Sequence, residues 1–227
     1  MKCSVPYCIN ENTEPVKLKH VNGWPEVQLC NFHAERFKFI DDELDSLAQT
    51  RGFNETYFMF YIPIELLKQA LLAFGMGLNE PSAIMARSAL EAALFYRLIA
   101  KDLKFNNNGV LVSYTPDDQN INMLKDKKIG FQFLINCAKI GGLLNNNLTE
   151  CANKVKNNGD HIAHLAEQFT RKLTEASKSS IKNNSSITND LKIWLDNEEA
   201  KKNIDCAVEV MKHLIEETYK LASVAKT

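Results

Sequence analysis

Apolar residues recur along most of the chain at three- and four-residue spacing, the signature of helices with one buried face. Phe37, Ile40, Leu44 and Leu47 predict a helix over about residues 34–50, ended by Gly52. Leu66, Leu67, Ala70, Leu71 and Phe74 form a second stripe, with Pro63 suited to its first turn and Gly75 and Gly77 near its end. A third helix opens at Pro81-Ser82. Its Ile84, Ala86, Leu90, Ala93, Leu94 and Leu98 make it the most apolar helix of the chain and the expected centre of a bundle. Further helices are predicted over about 129–140, broken by Gly141-Gly142, over 147–157, from about Asp160, and over 197–225, where Ile204, Val208, Met211, Leu214, Ile215 and Tyr219 share a face.

Between these stretches the pattern changes. Residues 53–62 are aromatic-rich and fit a short strand or a packed connector equally well. Residues 105–120 are rich in Asn, Gly and Asp, which predicts a long loop with a brief extended piece at Val110–Tyr114. Residues 177–189 are mostly Ser, Asn and Lys and read as an exposed loop. Alternation of period two is nearly absent and there is no internal repeat. The fold class expected is an all-α helical bundle, preceded by a small zinc-binding knob. The division is residues 1–36 for the metal-binding segment and 37–227 for the bundle.

The knob is read from Cys3, Cys8, Cys30 and His33. The frame is Cys-x4-Cys, a long gap, then Leu29-Cys30-x2-His33. Two turns each supply an adjacent pair of thiolate or imidazole donors, which is how a closed tetrahedral zinc site is built. A segment this small buries too little apolar surface to fold alone, so metal binding would supply the missing free energy. The alternatives are scattered free thiols or disulfides. The start Lys2-Cys3-Ser4 opens no apolar leader segment, which favours a reducing cytoplasm over disulfides. The order resembles a small zinc motif at the N-termini of phage and bacterial proteins, in which Leu-Cys-x2-His leads into a basic helix, here with Arg36. The gap is longer than usual and holds His20, a possible substitute ligand, and Trp24. Cys137, Cys151 and Cys206 lie far apart on helical patterns and read as small buried hydrophobes.

Composition narrows the function classes. The 227 residues are 45% hydrophobic and carry a net charge of −1, so one sizeable core is expected and no global basic field announces nucleic acid. Lys125, Lys127 and Lys128 form one local basic patch, and Lys154 and Lys156 another. No apolar run reads as reaching the ~18 residues of a membrane span.

One segment carries candidate chemistry: Lys156-Asn157-Asn158-Gly159-Asp160-His161-Ile162-Ala163-His164. With Asp160 as a helix N-cap, His161 and His164 would stand three apart at a helix start, beside a cation and an amide. Those groups could hold a phosphate and move a proton, as cleavage of RNA by its own 2′-hydroxyl requires. Arg87 and Glu91, four apart on the apolar third helix, are either an ion pair at the bundle edge or bring Arg87 to the site as a phosphate contact.

Three stretches resemble the HEPN superfamily of helical bundles, in particular the branch often attached to restriction-endonuclease subunits. Ala86-Arg87-x2-Leu90-Glu91-x2-Leu94 resembles that branch's Ala-Arg-x-x-Leu-Glu-x-x-Leu helix. Lys156-x2-Gly159-Asp160-x3-His164 resembles its Arg-x2-Gly-Asn-x3-His turn. Glu198-Glu199-Ala200 and the helix after it resemble its closing helix. The resemblance implies a metal-independent endoribonuclease of a prokaryotic defence or toxin system, working as a homodimer with a composite site. In the HEPN catalytic pattern Lys156 stands for the Arg, Asn157 for the polar residue and His161 for the His; in the restriction-associated register the His is His164. Lysine lacks the guanidinium fork, so bidentate phosphate contact is lost at that position. The alternative is a non-catalytic adaptor that binds nucleic acid or a protein through knob and bundle.

Overall fold

The computed structural model describes residues 1–20, 26–105, 108, 110–116, 130–164 and 195–224. Trp24, the basic patch at Lys125–Lys128 and the Ser/Asn/Lys stretch at 177–189 lie outside them. Among the described residues the chain forms six helices and two antiparallel strand pairs. In order these are β1 (Thr13–Val16), β2 (Val27–Cys30), α1 (Asn31–Ala48), α2 (Phe53–Gly75), α3 (Asn79–Ile99), β3 (Ala100–Phe105), β4 (Leu111–Pro116), α4 (Phe131–Ile140), α5 (Asn146–Ala163) and α6 (Asn197–Val224).

The all-α bundle expected from the periodicity is what forms. α3 sits at its centre and packs against α2, α4, α5 and α6. The reason lies in its small residues. Ala83, Ala86, Ala89 and Ala93 are essentially fully buried, as are Leu90 and Leu94, so neighbouring helices approach α3 closely on several sides. α6 contributes Ile204, Ala207, Val208, Met211, Leu214 and Ile215 at helical spacing to the same core. The apolar surface of α3 is therefore largely consumed inside the bundle. The large exposed apolar side chains cluster instead on α2, at Phe58, Tyr61 and Ile62.

Two elements differ from the sequence expectation. The aromatic stretch 53–62 is neither strand nor connector but the first half of α2, and Pro63 lies mid-helix rather than in a first turn. Proline removes one backbone donor and crowds the carbonyl four residues earlier. Burial of Thr56, Met59, Phe60, Ile64 and Leu67 on both sides of it outweighs that cost. The full 23-residue α2 has an 18-residue window of mean hydropathy 1.3, enough by length and composition to cross a membrane, which the split reading concealed. Half of that window is buried among α1, α3 and α6, as befits a core helix.

The second difference is at α5. The chain does not restart a helix at Asp160: one helix runs unbroken through Gly159 and Asp160 to Ala163. Its cap is Asn145, whose side chain accepts from the Leu148 backbone N–H at 2.9 Å. Its buried stripe is Leu148, Ala152, Val155 and Gly159. Gly159 continues that stripe where α5 crosses α3. A Cβ there would lie 2.5 Å from the Arg87 Cβ.

The supposed loop after α3 is in part a ribbon. β3 and β4 pair with Leu103 opposite Tyr114 and Lys104 opposite Ser113, with two register irregularities. At the other end, β1 and β2 pair from Thr13 opposite Cys30 to Val16 opposite Val27.

Candidate functional site

The N-terminal site is assembled by the β1–β2 ribbon. Ser4 N–H donates to the Gln28 carbonyl at 2.7 Å, and Gln28 N–H donates to Ser4 Oγ at 3.1 Å, so the first turn lies along β2. Tyr7, at φ 62°, tightens that turn between Cys3 and Cys8. Cys30 ends β2 and His33 sits in the first turn of α1. The ligand atoms of Cys3, Cys8, Cys30 and His33 all lie within 4.8 Å of one another. Cys3 Sγ is 3.4 Å and Cys30 Sγ 3.2 Å from His33 Nδ1, and Cys8 Sγ is 3.9 Å from Cys30 Sγ. These four side chains can hold a metal ion. His20 is not part of the cluster. It bonds Asp45 at 2.7 Å, beside the Lys19–Asp45 ion pair.

The site is fastened to the bundle by α1, which runs through residue 36 and shares one continuous core with Cys3, Val5, Leu18 and Leu29. Burial lowers the pKa of His33, with Arg36 acting in the same direction and a backbone hydrogen bond to Met76 opposing them. A neutral imidazole is the form a metal takes. One turn on, Arg36 is buried between the rings of Phe32 and Phe74, 4.5 and 4.2 Å from its guanidinium carbon. It donates to Asn79 Oδ1 at 2.9 Å, to the Phe74 carbonyl and to Asn197 Oδ1. Burial pushes the Arg36 pKa down to about 10. A residue noted in the sequence only as part of a basic helix thus ties the metal segment to α2, α3 and α6.

The second site lies where α5 crosses α3. Arg87 Nε donates to Asp160 Oδ1 at 2.5 Å and its Nη1 to Glu91 Oε2 at 2.7 Å. Lys156 Nζ meets Asp160 Oδ2 at 2.9 Å. The Arg87 guanidinium also lies 5.7 Å from the Phe131 ring of α4. Burial raises the Asp160 pKa, but the hydrogen bonds from Lys156 and Arg87 outweigh it and hold the carboxyl below its usual range. Two cations and two carboxylates therefore form one network.

Of the residues singled out for chemistry, Arg87, Lys156 and Asp160 meet directly. Asn157 is exposed, one position further round α5, while Asn158 turns to α6 and donates to Asn203 at 3.1 Å. His161 is half-buried in the last turn and His164 is the exposed C-cap residue. Spacing puts Lys156, Asp160 and His164 on one face of α5, with Asn157 and His161 on the next. Asp160 is not an N-cap, and the histidines stand at the end of a helix. The positive N-terminal dipole and free N–H groups expected for phosphate are not there. The sequence signal for this was the spacing of Leu148, Ala152, Val155 and Gly159, which carries one helix through the glycine.

Among the described residues, grooves also lie away from both sites. One, of about 420 Å³, is lined by Phe58, Tyr61, Ile62, Tyr96 and Tyr114 between α2 and β4. Another, of about 590 Å³, runs between α1, α5 and α6 and is lined by Glu43, Asp205, Glu209 and Lys212.

Compared with protein-family profiles, curated proteins and solved structures, the chain finds no match.

Proposed function

We propose that the chain is a zinc-braced, HEPN-like helical module of a prokaryotic defence or toxin system that cleaves RNA at the α3–α5 cluster without a catalytic metal. The observation that carries this reading is the meeting of Arg87 with Lys156 and Asp160. The two stretches that resemble HEPN helices are 73 residues apart at this contact, yet they bring two cations onto Asp160, which is followed by His161 and, one turn on, by His164. Arg87 supplies the guanidinium that position 156 lacks. One histidine would take the 2′-hydroxyl proton or give one to the leaving oxygen, and the cations would offset charge on the phosphorane.

The metal of the N-terminal site would be zinc. Tetrahedral zinc with bonds of about 2.3 Å to sulfur and about 2.0–2.1 Å to nitrogen spaces its ligands about 3.8 Å (S to S) and about 3.6 Å (S to N) apart. Three of the separations here, 3.2–3.9 Å, suit that geometry, and all four ligand atoms lie within 4.8 Å of one another. Three thiolates and an imidazole favour zinc over the oxygen-seeking cations. Four protein ligands leave no position for substrate, so the ion's role is structural. Reduced thiols and a homodimer in the cytoplasm complete the reading. Pairing would use the exposed face of α2.

A second reading has its own support. Both cations already hold carboxylates, and the network sums to zero charge, so a phosphate must displace Asp160 or Glu91 to bind. That favours a non-catalytic adaptor in which the network fixes the α3–α5 crossing.

The test is single-turnover cleavage of structured and unstructured RNAs in EDTA. On the catalytic reading, either His161→Ala or His164→Ala slows cleavage by about 10²–10⁴-fold, and Lys156→Arg retains or raises activity. A wild-type protein that cuts no RNA, or two histidine variants as fast as wild type, leaves the adaptor reading in its place.

A further inference from the structure

α5 and α6 carry a pair of thiols outside the metal cluster. Cys151 Sγ and Cys206 Sγ lie 2.7 Å apart although the residues are 55 positions apart in sequence. Both are half-buried, and both are free thiols. They form a relay: Cys206 Sγ donates to Cys151 Sγ, and Cys151 Sγ donates to Glu209 Oε2 at 3.6 Å. Glu209 is exposed and, with Asp205 and Leu148, lines the 590 Å³ groove, so the acceptor of the relay stands at that groove. Buried cysteines that only pack have no need of a facing thiol, a proton acceptor and an open groove together.

We propose that Cys151 and Cys206 are a reversible oxidation site that reacts with a low-molecular-weight disulfide of the glutathione type. The Cys206 thiolate attacks one sulfur of the small disulfide. That S–S bond breaks, and the departing thiolate takes up the proton Cys206 lost. A mixed disulfide on Cys206 remains. Cys151 then passes its proton to Glu209 and attacks the Cys206 sulfur. The second small thiol leaves with that proton, and the Cys151–Cys206 disulfide closes. The two cysteines lose two electrons and two protons, and the small disulfide gains them. Burial, first, and the neighbouring Cys206 and Glu209 push the Cys151 pKa up, which assigns Cys206 as the attacking thiol and Cys151 as the resolving one. The product joins the helix bearing His161 and His164 covalently to α6. The site stands independently of RNA cleavage.

The experiment treats zinc-loaded full-length protein with oxidised glutathione, quenches by alkylation and maps the peptides by mass spectrometry. The expected product is a linked peptide pair containing Cys151 and Cys206, reversed by dithiothreitol. Cys151→Ser should stop at a glutathione adduct on Cys206. Cys206→Ser should leave Cys151 unmodified over the same time, and Cys137→Ser should behave as wild type. A stable glutathione adduct on wild-type Cys206, modification of Cys151 in Cys206→Ser at the wild-type rate, or oxidation confined to Cys3, Cys8, Cys30 or Cys137 overturns the assignment.

Discussion

Gly159→Ala sets two known effects against each other at the α3–α5 crossing. In an exposed helix interior, alanine in place of glycine gains about 1 kcal/mol of helix propensity. Here the added methyl would lie 2.5 Å from the Arg87 Cβ, 2.7 Å from its Cδ and 3.0 Å from its Cγ. Cγ and Cδ can swing aside, but Cβ is fixed to the α3 backbone, so the helices must separate by about 1 Å to reach ordinary contact. Overpacking of this kind costs about 1–3 kcal/mol. Separation also stretches the Arg87–Asp160 contact, a charge-assisted bond between groups 23% and 27% exposed. Such bonds contribute about 1.5–3 kcal/mol when buried and less with this exposure. Crowding and the weakened bond outweigh propensity, for a net loss of about 1–2 kcal/mol. For a chain of this length that is a fall in Tm of about 2–8 °C. Urea unfolding of wild type and variant, followed by circular dichroism, gives the value directly. A variant more stable than wild type by about 1 kcal/mol would refute the close-contact role and return Gly159 to simple helix punctuation.

Other outcomes follow from the same contacts. Purified protein should carry one zinc per chain by elemental analysis. Cys30→Ser should abolish it, with hydrogen exchange rising through residues 1–30 while α3 and α6 stay protected. Because the Asp160 carboxyl is held below its usual range, it adds stability that is present above about pH 4, the unfolded-chain range, and is lost as pH falls through the lower folded value. Asp160→Asn should flatten that acid limb of the stability profile; an unchanged limb places the acid sensitivity elsewhere. Sedimentation at micromolar concentration should give the mass of two chains, and Tyr61→Lys on the exposed face of α2 should shift it to one. Dimers that survive Tyr61→Lys would move the interface elsewhere.

The metal cluster was legible because its ligands sit in two short turns, where sequence spacing translates almost directly into distance. The bundle was legible because its helices bury single stripes. The errors fell where a local signal met a stronger tertiary one. Pro63 and Gly159-Asp160 read as helix boundaries, yet burial of Phe60 and Ile64 carries α2 through the first. The stripe ending at Gly159 carries α5 through the second. The Cys151–Cys206 pair and the Arg36–Asn79–Asn197 knot join residues tens of positions apart, and no spacing rule reaches across such gaps. The pairing of Arg87 with Glu91 was visible as an i, i+4 spacing, whereas its bond to Asp160 exists only once α3 and α5 cross.

On the proposed function, the Arg87–Lys156–Asp160 cluster with its neighbouring histidines cuts RNA by attack of the substrate's own 2′-hydroxyl. The most direct measurement is the end chemistry of the product, formed in EDTA and read by mass spectrometry, beside an identical strand carrying a single 2′-deoxy residue at the cut site. Attack by the 2′-hydroxyl predicts a 2′,3′-cyclic phosphate and a 5′-hydroxyl, with no cut at the deoxy position. A 5′-phosphate product, cleavage at the deoxy position, or an uncut RNA would contradict it.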